Sequence, residues 1–175
     1  MIDSRLIASQ GSMELWIIRH ADAAPAPADG RDFERPLSAR GVADCARLRA
    51  FLEQSAPRVD RIVASDALRA RTTAELLAPA FGGSAAAIEL DHRIYSGGAD
   101  ALLDLIRETP VDISGLVIVG HNPGISVLVS RLLVPEWRRG LPTLGTVCAR
   151  CESPWSKLAD SSVSFERYLD PTSLD

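Results

Sequence analysis

Short unbroken apolar runs recur along this chain, each followed by a helical pattern. That alternation narrows the possible folds more than any other feature. Leu15-Trp16-Ile17-Ile18, Arg61-Ile62-Val63-Ala64 and Leu116-Val117-Ile118-Val119 are runs of the kind buried on both faces of a parallel sheet, and Ala87-Ile88-Glu89-Leu90 is a weaker fourth. After a Pro- and Ala-rich loop over residues 23–36, Ser38 caps a predicted helix with Val42, Cys45, Leu48 and Leu52 on its apolar side. Ser65 or Asp66 caps a second helix, which runs to about Ala80 and stops at Phe81-Gly82-Gly83. A third covers residues 99–107, with Ala99, Leu102, Leu103 and Ile106 on one face. A fourth opens at Asn122-Pro123, with Asn122 as cap and Pro123 at the first helical position. The tail holds two alternating stretches, 146–152 and 163–168, which predict an antiparallel hairpin at a sheet edge. The order predicts an α/β three-layer sandwich, a mainly parallel central sheet with helices on both faces.

The chain's 175 residues suit one domain, and 46% hydrophobic residues can fill one sizeable core. Residues 1–12 lack periodicity and read as a disordered leader ahead of a single catalytic domain over 13–175. A net charge of −4, with no basic block, argues against a nucleic-acid partner. No apolar run approaches the ~18 residues of a membrane span, and no secretion signal opens the chain. The expectation is a cytoplasmic protein with no membrane partner. Three cysteines fit a reducing compartment better than a disulfide framework. Cys148 and Cys151 form a lone C-x-x-C on a strand pattern, where positions three apart face opposite sides, so they read as packing or surface residues; Cys45 reads as core.

In an open α/β sheet, ligands sit beyond the carboxyl ends of the strands. Three segments place polar groups there: Arg19-His20 after the first run, Arg69 in the first turn of the helix after Val63-Ala64, and His121 after Val119-Gly120. Arg69 is the most telling. A cation in a helix's first turn meets the positive end of the helix dipole, at a cost of about 0.3–1 kcal/mol. Its placement makes sense if an anion sits there too. Arg71, two residues on, points elsewhere and reads as a solvated charge. Two guanidinium groups and two imidazoles around one point suit phosphate oxygens. The sequence has no H-x-x-x-H, no carboxylate set at metal-ligand spacing, no G-x-x-x-x-G-K-[ST] and no G-x-G-x-x-G, so neither a metal nor a cofactor is expected.

These residues also carry a resemblance. Arg19-His20-Ala21 resembles the "RHG" signature of the histidine phosphatase superfamily, with Ala for Gly. Residues 65–74, Ser65 to Ala74, are similar to "S-x-x-x-R-A-x-Q-T-A", with Thr72 for Gln. Residues 119–124 are similar to "VGHNPG". Residues 35–41, from Arg35-Pro36-Leu37-Ser38 to Gly41, resemble the "RPLTxxG" of its short SixA-type branch, whose members are phosphohistidine phosphatases. The resemblance implies that His20 attacks phosphorus and becomes phosphohistidine, while Arg19, Arg69 and His121 stabilise the phosphoryl oxygens. Arg35 is a further candidate phosphate contact. The implied partner is a phosphorylated protein carrying phosphohistidine, or else a small phosphorylated molecule such as a phosphomonoester or nucleotide. A non-catalytic phosphate-binding module is a third reading, which the two intact histidines oppose. A phosphoglycerate mutase would need inserted segments that this chain has no room for. Residues 90–98, where relatives acting on esters would carry a general acid, show no clear candidate; Asp22, Asp91 and His92 remain open.

Overall fold

The computed structural model of the chain describes residues 12–26, 30–55, 57–84, 87–133, 137 and 139–174. The predicted leader therefore lies outside the described residues except for Ser12.

The sheet has six strands: β1 (Met13–Arg19), β2 (Arg61–Ala64), β3 (Ile88–Leu90), β4 (Gly115–Gly120), β5 (Thr146–Cys151) and β6 (Val163–Leu169). Their order is β3-β2-β4-β1-β5-β6. The first four are parallel to one another, and β5 and β6 close one side as an antiparallel pair. Among the described residues the α-helices are α1 (Ala39–Ser55), α2 (Leu68–Leu77), α3 (Arg93–Ser96), α4 (Ala99–Arg107) and α5 (Gly124–Leu132).

Alternation along β1 separates the two cores. Leu15 and Ile17 pack with α4 and α5, through residues such as Leu102, Ile106, Ile125 and Leu128. Trp16 and Ile18 face the other way and pack with Cys45, Leu48 and Leu52 of α1 and Ala74 and Leu77 of α2. β4 is buried along its whole length, as a strand covered on both faces must be. The predicted three-layer sandwich and terminal hairpin are thus the observed architecture. Cys148 and Cys151 are both buried, one in each core, and Cys45 is buried too; all three are free thiols.

Several local expectations need correction. Val42 is 45% exposed and lies outside the apolar side of α1. Asn122 does not cap α5. Its Oδ1 accepts from the Ser126 hydroxyl and its Nδ2 donates to the Leu141 carbonyl, so the helix starts at Gly124 with Pro123 as the flanking residue. Neither Ser65 nor Asp66 is the N-cap of α2: Asp66 pairs with His92, Ser65 Oγ meets His121 and accepts the Ala67 N–H ahead of the helix, and the flanking residue is Ala67. α2 itself ends at Leu77, and a 3-10 turn over Ala78–Phe81 carries the chain on to Gly82. Ser38 does cap α1, accepting the Gly41 N–H at 3.0 Å.

Gly41 has a steric reason. A Cβ there would stand 2.1 Å from the Asp22 carbonyl oxygen. That carbonyl accepts the Ser38 N–H, while the Asp22 carboxylate accepts the Ser38 hydroxyl at 2.6 Å. Together these contacts pin the loop between β1 and α1. Gly41→Ala is expected to destabilise the fold by about 1–3 kcal/mol, because backbone rather than a flexible side chain must yield. Denaturant unfolding measures it; a change within about 0.5 kcal/mol, typical of an unconstrained surface site, would contradict the close approach.

Candidate active site

The site forms where β2, β4 and β1 end side by side. Arg19 lies opposite Gly120 in the β1–β4 ladder and Ala64 opposite Val119 in the β2–β4 ladder. The residues just beyond are stitched by the same pattern: the His20 N–H donates to the Gly120 carbonyl and the Ser65 N–H to the Val119 carbonyl. This register brings the His20 and His121 rings to 4.9 Å between centroids.

His20 is buried, and its hydrogen bonds fix its tautomer. Nδ1 lies 2.8 Å from the Ala21 carbonyl oxygen, which can only accept, so Nδ1 carries the proton. Nε2 then holds the lone pair, and it accepts from Arg69 Nε at 3.3 Å. Burial pushes the ring's pKa down to about 4. The Ala21 carbonyl opposes that shift, and the charges of Arg69, Arg19 and Arg35 reinforce it. His121 falls to about 3, first through burial and then through the His20 ring and Arg69. Its Nε2 lies 2.9 Å from the Ser65 hydroxyl. Both rings are therefore neutral at pH 7.

The guanidinium of Arg69 is buried and engaged in three directions. Nε meets His20, Nη1 donates to the Asp32 backbone carbonyl at 2.7 Å, and Nη2 meets the Asp32 carboxylate at 2.9 Å. The anion beside this helix terminus is not the expected phosphate but a carboxylate that the chain itself supplies. Arg35 Nη1 lies 3.3 Å from the other Asp32 oxygen, and the Tyr95 hydroxyl donates to Asp32 Oδ2 at 3.3 Å. Burial by itself would raise the Asp32 carboxyl, but Arg69, Arg35 and Tyr95 outweigh it and hold the group below the usual carboxylate range. Arg19 donates through Nη1 to the Leu141 carbonyl at 2.8 Å.

All five residues singled out from the sequence, Arg19, His20, Arg35, Arg69 and His121, thus meet at one edge. Three buried nitrogens among them have no hydrogen-bond partner: Arg19 Nε, Arg35 Nε and His121 Nδ1. Buried polar atoms are rarely left unpaired in this way. Among the described residues, no three His, Cys, Asp or Glu side chains gather as a metal would require.

Sequence reasoning missed Asp32, Tyr95, Ser65 and Thr73. Thr73 Oγ1 accepts the Ala21 N–H at 3.1 Å and donates to the Arg69 carbonyl at 2.7 Å, so it ties the end of β1 to α2. Ser65, Thr73 and Tyr95 sit in segments the sequence reading had marked; Asp32 stands in a loop with no pattern to distinguish it.

A family model described as the histidine phosphatase superfamily (branch 1) matches residues 15–95. A Mycobacterium tuberculosis protein of uncharacterised function is 31% identical over 163 residues, covering 88% of this chain and 99% of that one. A solved chain from Nakamurella multipartitia, assigned to the phosphohistidine phosphatase SixA, is 27% identical with a TM-score of 0.78 over 92% of this chain and 97% of its own. This chain belongs to the histidine phosphatase superfamily. Within the superfamily it falls in the SixA-type branch. A protein histidine phosphatase SixA solved with tungstate has the same fold, at 23% identity and a TM-score of 0.74 over 93% of this chain and 100% of that one.

Two expectations follow from the geometry. The folded pKa of His20 is depressed from about 6.5, so its contribution to stability is complete above pH 6.5 and is lost as pH falls toward 4. Between pH 7 and 4.5, His20→Asn should lose about 2–3 kcal/mol less stability than the wild type. Equal losses in denaturant titrations would mean that the folded ring protonates near its ordinary pH. Thr73→Val should cost about 1–3 kcal/mol by stranding the Ala21 N–H, and lower turnover by loosening His20 against Arg69. Unchanged stability and kcat would show that the tie does not matter.

Proposed function

We propose that this histidine phosphatase works through a covalent phosphohistidine on His20 and that its substrate is a protein phosphohistidine. The observation carrying the first half is the His20 tautomer, which leaves an unprotonated Nε2 among arginines in a buried site. In the first step the Nε2 lone pair forms a bond to phosphorus, and the bond from phosphorus to the leaving atom breaks. In the second, water attacks the same phosphorus, the bond to Nε2 breaks, and inorganic phosphate leaves as His20 returns to its neutral form. Arg19, Arg69 and Arg35 are positioned to draw the phosphoryl oxygens, together with His121. If the Ser65 hydroxyl donates to His121 Nε2 while accepting the Ala67 N–H, His121 Nδ1 carries a proton for such an oxygen. The reaction needs no metal in this reading, because the arginines meet the charge that a metal would neutralise.

The leaving group supports the second half. An alcohol needs a proton from a positioned acid, worth about 10²–10⁴-fold in rate. Asp91 is clasped by the Arg93 side chain and backbone, and those bonds, Arg93's side chain first, hold it below the ordinary carboxylate range. Asp22 is engaged with Ser38. His92 is exposed and paired with Asp66 at 2.9 Å. Asp32 is ionised between two arginines. Each of these side chains is thus already occupied by a partner within the chain. An imidazole leaving group needs an acid least, because it can carry its own proton and depart neutral. The SixA-type relatives point the same way, through their assignment as phosphohistidine phosphatases.

His20→Ala should abolish turnover while the protein stays folded, and quenching under neutral conditions should trap phosphate on His20 by mass spectrometry. Phosphate found on another residue would overturn the nucleophile. For the substrate, kcat/KM on a phosphohistidine protein should exceed that on a phosphoserine peptide by at least about 10²-fold, the low end of the missing acid's contribution. Comparable rates would favour small phosphomonoesters instead.

A further inference from the structure

Asp32 lies where the chemistry of the site leads one to expect substrate. Its side chain and backbone together take both terminal nitrogens of Arg69, its second carboxylate oxygen takes Arg35, and Tyr95 donates to it as well. Two of the cations assembled for a phosphoryl group are therefore already bound to an internal anion. The carboxylate is nonetheless 43% exposed, although its partner Arg69 is buried, so it can leave toward solvent without unpacking the core. It belongs to a three-residue 3-10 turn, Asp32–Glu34, none of whose residues is buried, and just before that turn stands Gly30 at φ +75°. Glycine takes that backbone conformation without strain.

Resting on the phosphoryl-transfer reading of the site, we infer that Asp32 is a specificity-determining residue: its carboxylate is a built-in competitor that an entering anion must displace from Arg69 and Arg35. The competition sets a threshold of charge. A phosphoryl group brings two negative charges and several acceptor oxygens in place of one carboxylate, so the exchange gains attraction from three arginines. A singly charged anion such as chloride or formate gains nothing by the exchange. It must also compete with a tethered carboxylate whose effective concentration is in the millimolar range or above. The site thereby admits phosphoryl groups and turns away the monovalent anions that a pocket with three uncompensated arginines would otherwise collect. Asp32 touches no reacting atom in this role and acts through the two arginines that it occupies.

The test is direct binding, measured by calorimetry with inorganic phosphate, tungstate and formate on wild type, Asp32→Asn and Asp32→Ala. Both variants change a partly exposed loop residue and leave the core intact; circular dichroism checks the fold. Phosphate and tungstate should bind about tenfold or more tightly to the variants, as expected when a resident competitor populated at ninety per cent or more is removed. Formate should bind measurably only to the variants. On a phosphorylated substrate the variants should show a lower KM, whereas a general acid or base at this position would show as a fall in kcat at unchanged affinity, which would overturn the assignment. Oxyanion affinity unchanged or weakened in both variants, with wild-type binding intact, would overturn it too while leaving the phosphatase reading standing. Failure of wild type and variants alike to bind either oxyanion would overturn the phosphoryl pocket itself and this inference with it.

Discussion

The parallel ladder between β1 and β4 sets Arg19 opposite Gly120, and the rest of the site depends on that pairing. One residue further along each strand, His20 and His121 emerge side by side, with the His20 N–H held by the Gly120 carbonyl. A slip of one position would turn the apolar residues of β1 toward the wrong cores and carry His20 away from Arg69. The two hydrophobic layers that hold Leu15 and Ile17 on one side and Trp16 and Ile18 on the other therefore also hold the chemistry in place. Thr73 adds a second tie, because its hydroxyl joins the backbone just after His20 to the turn of α2 that carries Arg69.

The second constraint is the concentration of positive charge in a buried space. Arg19, Arg35 and Arg69 all depress His20, and burial does so more strongly than any of them. In the proposed mechanism the imidazole has to be neutral to attack, and the arginines proposed to bind the phosphoryl oxygens also keep the ring unprotonated. The same crowding needs compensation when no phosphoryl group is present. Asp32 supplies part of it, and carbonyl oxygens supply more: Leu141 for Arg19, and Asp32 itself for Arg69. The charges of the site are thus balanced within the chain itself.

The fold does not choose the substrate. One fold hosts many chemistries, so the substrate must be argued from the site itself. In this chain the rim is made from Asp32 and its neighbouring Phe33, from Tyr95, and from the exposed His92 paired with Asp66. Arg93 occupies both Asp91 and Glu108, so the acidic residues of that segment are tied into ion pairs rather than presented to a substrate.

The strand runs, the helix periods and the βα alternation made the sandwich legible from sequence, because each records burial on a local scale. The placement of Arg19-His20, Arg69 and His121 after three such elements was legible for the same reason: a parallel sheet sends every strand end to one edge. The unfavourable position of Arg69 at a helix start even announced an anion. The caps were read less well. Ser65, Asp66 and Asn122 had suitable side chains, but each found a partner on another element, which no local rule foresees. The identity of the anion was decided only by the folded chain. Asp32 lies thirty-seven positions from Arg69, in a loop without pattern, and only packing that loop over the sheet edge brings carboxylate and guanidinium to 2.9 Å. The sequence by itself determined which polar groups leave the carboxyl ends of the strands, because strand and helix patterns record local burial; the tertiary structure decided their protonation, their tautomers and the internal anion they hold, because those depend on burial and on contacts between residues far apart in the chain.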